Sequence, residues 1–468
     1  MPKKYHIETK LAPPRFPPVG KFATIEFREE CAGSCKKCVK KSCVHEVFKE
    51  YYSHIAAMPE PEFLYTCQSC FRCLQECTKG IFTRVVNPDY KTLGDAYWTP
   101  DILHNIWYQA HTGRVPVSGA GYRGRFAGRG FDAMWTDMSE IVRPTRDGIH
   151  GREYISTTID LARHPLYLHF GQDGKLVEAP FRTLEIPLPV VFQLPDFAAF
   201  SQNVIASAAR AARELGTLLL LDAEDYRHDL EEFTGTLAPR FTLHNYQQHA
   251  QLIRHSRLVE IAVPVELEND LCALRQIKPG LSIAVRLPLD GRAPARAVEL
   301  ARQDIDVLHF YASDEGQEIG ASHPRTLRDM IREVHAALVE ARIRPAINLI
   351  FSGGIALAEH IAKAIICGAD GVAADIPLPV ALECRMCQPC RLPRACPVKV
   401  NEVDPAWGAQ RIVNLTGAWH SQLLEVMGAC GIREARRLRG EAGRALFMED
   451  LEKASFEPIF GARQVGCG

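Results

Sequence analysis

Net charge is almost missing from this chain: 55 Lys and Arg face 56 Asp and Glu, a formal charge of -1 over 468 residues. A dedicated binder of nucleic acid or of an anionic membrane carries a basic excess, so this balance argues against both roles. Also missing is any apolar run near the roughly 18 residues that span a bilayer. The opening "MPKKYHIETKLAPPRFPPVG" has two early lysines but no apolar stretch behind them, unlike a secretory leader. The expected place is the cytoplasm, where thiols stay reduced. No HExxH pattern, Walker loop or Ser–His–Asp arrangement is legible, and no NAD(P)H-binding module is evident. What remains, 47% hydrophobic and 24% charged, is the composition of an ordinary globular protein with two or three domains, or one large α/β domain with additions.

Cysteine, by contrast, is plentiful, with 16 in the chain. The first group is Cys31-x3-Cys35-x2-Cys38-x4-Cys43 and the second Cys67-x2-Cys70-x2-Cys73-x3-Cys77. Gaps of two or three residues let one loop wrap successive thiolates around an iron–sulfur cube, and a more distant cysteine closes the cage. The second group is the bacterial ferredoxin run with Thr78 in place of the usual proline. In two-cluster ferredoxins the fourth cysteine of each run serves the other cluster, which would join Cys31, Cys35 and Cys38 with Cys77, and Cys67, Cys70 and Cys73 with Cys43. Two structural zinc sites are the alternative, although zinc favours paired cysteines separated by a finger. Near the far end "CRMCQPCRLPRACP" supplies Cys384, Cys387, Cys390 and Cys396, enough for a third [4Fe-4S] cluster or for a [3Fe-4S] cluster on three of them. Cys272, Cys367, Cys430 and Cys467 stand alone and read as core or surface residues.

The organisation follows from these landmarks. Residues 1–30 are proline-rich and read as an extended arm, 31–90 as a ferredoxin-like module, and 91–180 as a glycine- and arginine-rich connecting region of loops and short elements. The latter holds a literal GxGxxG at Gly119, Gly121 and Gly124, but no apolar strand leads into it and no helix opens after it, so a surface or subunit-contact loop is the better reading. From 181 to 380 apolar runs alternate with amphipathic segments: "LEIPLPVVFQL", "TLLLLD", "FTLHNY", "LVEIAVPV", "LSIAVRLP", "IDVLHFYA", "PAINLIF" and "GVAADI". Eight apolar strands spaced by helices indicate a parallel sheet buried on both faces, closed as a (β/α)8 TIM barrel, with an open doubly wound sheet as the alternative. Residues 381–468 form the last cysteine group and a C-terminal helical extension. In such a barrel a phosphate often lodges after strands seven and eight, and the seventh run ends in "FSGGI". Ser352, Gly353 and Gly354 let backbone N–H groups approach a phosphate closely at the start of a helix.

The barrel with "SGGI" ahead of "GADGVAAD", the cysteine group behind it, and the closing "VNLTGAWHSQLLEVMGACGIREARRLRGE" resemble the FMN-binding synthase domain of glutamate synthases over roughly residues 115–455. The segment "GAGYRGRFAGRGFDAMWTDMSEIVRPTRDGIHGREYIST" is similar to that of ferredoxin-fused members of the wider group. The resemblance implies FMN beside an iron–sulfur cluster. Ser352, Gly353 and Gly354 would hold the flavin phosphate, and Arg286 falls where the family has a lysine near the flavin ring. "DEGQEIGASHP", with Asp314, Gly316, Gly320 and Ala321, resembles the glycine-rich loop after strand six. The family's cluster cysteines fall on Cys384, Cys390 and Cys396, and Cys387 is an addition that favours four irons. Departures exist. "FQLPDF", "LDAEDY" and "VPVELEND" replace the expected loops, and Ala374 followed by Asp375 stands where a glycine is expected to face the phosphate. An ionised carboxylate there would repel a phosphate, so Asp375 should point away or the site is altered.

The resulting expectation is an iron–sulfur flavoprotein oxidoreductase that relays electrons from two N-terminal clusters through the third to FMN and acts on a C–N or related bond. The alternative is a flavin-free electron-transfer or scaffold subunit of a larger redox complex. No nucleophilic cysteine opens the chain, so a glutaminase domain is not expected. A ferredoxin or separate reductase subunit would exchange electrons with it, and Lys36, Lys37, Lys40 and Lys41 could dock an acidic donor, or simply form a solvated basic face. His45 and His150 read as ordinary polar positions, His150 with some claim to a cofactor or substrate contact.

Overall fold

The computed structural model describes residues 5–16, 19–20, 22–26, 39, 41, 43–44, 70–116, 129–136, 155–177, 182–262, 267–387, 390 and 396–461. Its centre is a closed barrel of eight parallel strands: β1 (Val190–Gln193), β2 (Leu219–Asp222), β3 (Leu237–Phe241), β4 (Leu258–Ile261), β5 (Ser282–Pro288), β6 (Val307–Tyr311), β7 (Asn348–Ser352) and β8 (Gly371–Ala374). Each strand pairs with the next, and β8 closes on β1. The open doubly wound sheet is thereby excluded. Runs such as "SIAVRLP" and "NLIFS" are buried along nearly their whole length, as expected where helices cover one face and the barrel interior the other.

One strand lies elsewhere than the sequence pattern suggests. "FTLHNY" contributes only Phe241, and β3 is "LAPRF" just ahead of it. Pro239 and Arg240 interrupt the apolar pattern there, yet all five residues are buried because Arg240 finds a carboxylate inside the barrel. The connecting region also holds a helix where loops were expected, α1 (Pro100–Thr112). Pro100 occupies its first turn and Gly113 caps it at φ 68, both signals present in the sequence. Ile102, Leu103, Ile106 and Trp107 are buried along it.

The outer layer includes α2 (Gln202–Leu215), α3 (Ala250–His255), α4 (Leu267–Ile277), α5 (Ala293–Leu300), α6 (Leu327–Glu340) and α7 (Ala358–Cys367). Every residue of α7 is buried, because α8 (Pro405–Ala429) and the segment around Phe131 and Met134 cover it. α8 packs on α1, α2 and α7. The extended residues 5–16 lie on it. Asn414 Nδ2 donates to the Lys10 carbonyl at 2.6 Å, and Arg411 reaches the carbonyls of Ala12 and Ala381 at 2.9 and 2.6 Å. Behind α8, Arg439 meets buried Asp370 at 2.5 Å while Arg344 holds the other carboxylate oxygen at 2.7 Å. No helix among the described residues is long and apolar enough to cross a membrane.

Candidate functional site

Side chains of the barrel strands meet inside it in register. Arg240 on β3 stands opposite Glu260 on β4, and Arg286 on β5 opposite His309 on β6. Arg240 Nε donates to Glu260 Oε2 at 2.5 Å, and its Nη2 donates to Gln193 Oε1 at 3.0 Å. His309 Nδ1 lies 2.6 Å from Glu260 Oε1, and its Nε2 lies 2.9 Å from Ser352 Oγ. A continuous polar chain thus joins strands β1, β3, β4, β6 and β7 through buried residues.

Burial alone would push Glu260 up, but Arg240 and then His309 outweigh it and hold its carboxyl below the ordinary range. Burial dominates at His309 and pushes it down despite the neighbouring carboxylate, so the ring is neutral at pH 7. Arg286, whose charge also reaches Glu260 and His309, lies over the Tyr311 ring at 4.2 Å and 3.6 Å from Asp196. Its Nε is buried without a partner in the described structure.

The predicted phosphate loop follows β7. Ser352, Gly353 and Gly354 sit together there, with Gly316 of the loop after β6 against them. A Cβ on Gly354 would stand 2.4 Å from Gly316 Cα, and one on Gly353 2.5 Å from the Ser313 carbonyl oxygen. Both glycines have positive φ, so backbone approach and conformation alike require them. α7 begins at Ala358, after a short turn rather than directly from the glycines. The Gly354 carbonyl accepts from the Tyr97 hydroxyl at 2.5 Å, and the Asp314 carbonyl accepts from Trp98 Nε1 at 2.8 Å.

Asp375 does not point away from this loop. Its Oδ2 accepts the Gly353 N–H at 3.1 Å and its Oδ1 the Ile376 N–H at 2.6 Å. Burial pushes its carboxyl up to about 6, with Asp314 adding repulsion, against the N–H groups of Ile376, Gly353 and Asp375 itself that draw it down. Gly320 is exposed at a turn with φ 77, and Ala321 follows it on the surface.

Cys384, Cys387, Cys390 and Cys396 follow β8 and a short helix. Burial pushes the Cys384 thiol up to about 12; the Met386 N–H works against this, while Cys390, Cys387 and Cys396 raise it further, which places the other three sulfurs within electrostatic reach. Glu383 and Met386 have φ 75 and 49, and Lys399 has φ 46. Left-handed residues of this kind turn successive N–H groups toward one side, a backbone shape common at iron–sulfur sites. Phe71, between Cys70 and Cys73, has φ 59. Among the described residues no three His, Cys, Asp or Glu side chains close on a single metal ion. In the N-terminal groups Cys43, Cys70, Cys73 and Cys77 are described, whereas Cys31, Cys35, Cys38 and Cys67 lie outside the described residues, as do Lys36, Lys37, Lys40, His45, His150 and the glycines of the GxGxxG. Cys367 and Cys430 are buried and Cys272 is exposed; Cys467 lies outside.

Sequence reasoning missed Gln193, Arg240, Glu260 and His309. The available signal was a charged or imidazole side chain in the middle of an apolar strand, as in "LVEIAV" and "DVLHFY".

The family model for the conserved region in glutamate synthase matches residues 243–433. An archaeal-type glutamate synthase (NADPH) of Dehalococcoides mccartyi is 25% identical, across 95% of this chain and 98% of its own length. That of Thermotoga maritima is 26% identical across 80% and 85%. The archaeal glutamate synthase (NADPH) of Archaeoglobus fulgidus is 23% identical across 92% and 95%. The crystal structure of mandelate oxidase overlaps 65% of this chain and 97% of its own at 15% identity, with a TM-score of 0.39. Matched by that family model from just after β3 to beyond α8, and aligned with these relatives along most of its length, the chain is similar to the glutamate synthases.

Proposed function

We propose that this chain is a glutamate synthase-like oxidoreductase carrying FMN at the C-terminal mouth of the barrel and three iron–sulfur clusters. The observation that carries the flavin reading is the orphaned Nε of Arg286, buried beside Tyr311 and in need of an acceptor. The loop of Ser352, Gly353 and Gly354, whose glycines lie close against the backbone of the loop after β6, would present its N–H groups to the flavin phosphate. FMN, when bound, converts between one-electron cluster chemistry and two-electron hydride chemistry. The chain's own part is to orient and to insulate. Arg286 would hold an electron-rich edge of the flavin ring, and the Arg240–Glu260–His309 chain would support Arg286 from within the barrel. Asp314 and Gly316 would shape the rim.

For the clusters, Cys384, Cys387, Cys390 and Cys396 fit a four-iron core, supported by the left-handed turns around them and the Met386 N–H aimed at Cys384. Cys31, Cys35, Cys38, Cys43, Cys67, Cys70, Cys73 and Cys77 fit two more by spacing. The substrate class is an imine or a related C–N bond, by analogy with relatives named glutamate synthase. A ferredoxin or a separate reductase subunit would deliver the electrons in the cytoplasm.

Anaerobic purification with iron, sulfide and flavin measured on one sample tests this. Roughly 12 iron atoms per chain are expected from three four-iron cores, with one FMN. Zinc in place of iron would overturn the cluster reading. A second reading, a flavin-free electron-transfer or scaffold subunit, is favoured by Asp375 already occupying the Gly353 N–H; iron and sulfide without flavin would support it.

A further inference from the structure

The loop after β7 already holds an anion-like group of the protein's own. Asp375 spans two backbone N–H groups, Gly353 at 3.1 Å and Ile376 at 2.6 Å, at the place where a barrel of this kind takes a phosphate. A phosphate dianion and an ionised carboxylate cannot share those donors. We infer that Asp375 gates this place by protonation: the flavin phosphate gains the Gly353 N–H only when the Asp375 carboxyl carries a proton, so FMN affinity falls as pH rises. The inference rests on the reading of the barrel mouth as an FMN site.

The surroundings favour such a gate. Asp375 is 4% exposed, and every residue from 346 to 384 is buried, so water does not compensate its charge. The titratable groups around Asp375 and its loop come from three elements. Asp314, from the loop after β6, repels its charge. Tyr97, from the segment ahead of α1, feels Asp132, Asp375 and Glu315 and, with burial foremost, is held protonated. His360, on α7, sits against Gly354 and is kept neutral, pushed down to about 3 by burial and then by Lys363. Lys363 itself donates to the Phe131 carbonyl at 2.7 Å. Among the described residues no lysine or arginine forms an ion pair with Asp375, and none is among the leading influences on its carboxyl. A carboxylate without a cation responds to an incoming anion by taking up a proton. Once protonated, it offers an O–H donor to a phosphate oxygen and releases the Gly353 N–H.

The test is titration of flavin-free, full-length protein with FMN and with riboflavin, followed by fluorescence quenching between pH 7 and 8.5. Over that range the flavin phosphate stays dianionic, because a phosphate monoester has its second pKa near about 6. FMN affinity is expected to weaken about tenfold per pH unit, the slope of one coupled proton, while riboflavin affinity stays level. Asp375→Asn should abolish the slope and bind FMN at least about tenfold more tightly than wild type at pH 8. Asp375→Gly is the second variant, in case the amide disturbs the loop, and circular dichroism monitors the fold. A level FMN affinity in wild type, or an unchanged slope in both variants, overturns the gate and leaves the FMN reading intact. Failure of both flavins to bind wild type and both variants, all folded, would instead sink the FMN reading itself.

Discussion

Ser352 Oγ lies 2.9 Å from His309 Nε2, and the other nitrogen of that ring lies 2.6 Å from Glu260. Because the ring is neutral, its partners fix the tautomer: Nδ1–H donates to the carboxylate and Nε2 accepts the serine hydroxyl. The order resembles a hydrolytic triad. None of the three side chains is more than 1% exposed, however, so they form a strut across the barrel rather than a nucleophile open to substrate.

Removing the middle of that strut should destabilise the barrel. His309→Leu leaves the Ser352 hydroxyl without its acceptor and strips Glu260 of one of its two partners, at a cost of about 2–4 kcal/mol. Ser352→Ala removes one hydrogen bond and should cost about 1 kcal/mol. Denaturation midpoints of the two variants decide it. Equal, small losses would mean that Arg240 alone satisfies Glu260.

Acid should weaken the fold before most carboxylates titrate. His309, His360 and His420 are buried and neutral, all with folded-state values pushed down by burial, His360 to about 3 and His420 to about 4. Unfolded, each takes a proton near about 6.5, so each contributes stability that is complete above that pH and lost below it, at about 1.4 kcal/mol per pH unit. Asp375 works the other way. Its folded value near 6 means that the native state gains its proton first, which adds stability as pH falls below 6. His104, His111 and His335 are likewise pushed down by burial, and Asp222, Asp306 and Glu359 likewise pushed up, so six histidines against four carboxyls leave a net loss, and the thermal midpoint should drop between pH 7 and 5. His360→Phe should flatten that dependence by one proton; a midpoint that rises toward pH 5 would contradict the assignment.

How far the sequence reveals this molecule depends on whether a feature is local. "LSIAVRLP" and "PAINLIF" are continuous apolar runs, and they form β5 and β7 because a strand buried on both faces needs no alternation. "SGGI" stood out because two adjacent glycines announce a backbone requirement, and both have positive φ. β3 was hidden because Pro239 and Arg240 look like loop residues until Glu260 arrives from the next strand. The carboxyl of Asp375 in the Gly353 loop was equally hidden, since it depends on how β7 and β8 lie side by side. Charges buried in partnership belong to tertiary register, which no window of sequence contains.

The glycine pair should tolerate no side chain. A methyl group at Gly354 would stand 2.4 Å from Gly316 Cα, in a conformation with φ +69. Backbone on both sides cannot yield, so Gly354→Ala should cost about 3 kcal/mol or more. Tyr97→Phe touches the same loop more gently, deleting the hydroxyl that donates to the Gly354 carbonyl, for about 1 kcal/mol. Thermal melts of the two variants separate the effects. Comparable melts would mean that the two loops move apart without penalty.

If the C-terminal group holds a cluster as proposed, Cys387 decides between a four-iron and a three-iron core. The residues ahead of it are committed: Cys384 is buried and takes the Met386 N–H, and Met386 is held left-handed at φ 49. Such a turn would let Cys387 follow Cys384 around one core. If all four cysteines are ligands, Cys387→Ala should remove iron, with a loss between one atom, where a three-iron core survives, and about four, where the core falls apart. Cys272→Ala, at an exposed lone thiol, serves as the control and should leave iron unchanged. Iron and sulfide determined anaerobically on the purified variants read the result directly, and electron paramagnetic resonance of the oxidised protein distinguishes a surviving three-iron core from a four-iron one. Unchanged iron and an unchanged spectrum in Cys387→Ala would assign the core to Cys384, Cys390 and Cys396 alone.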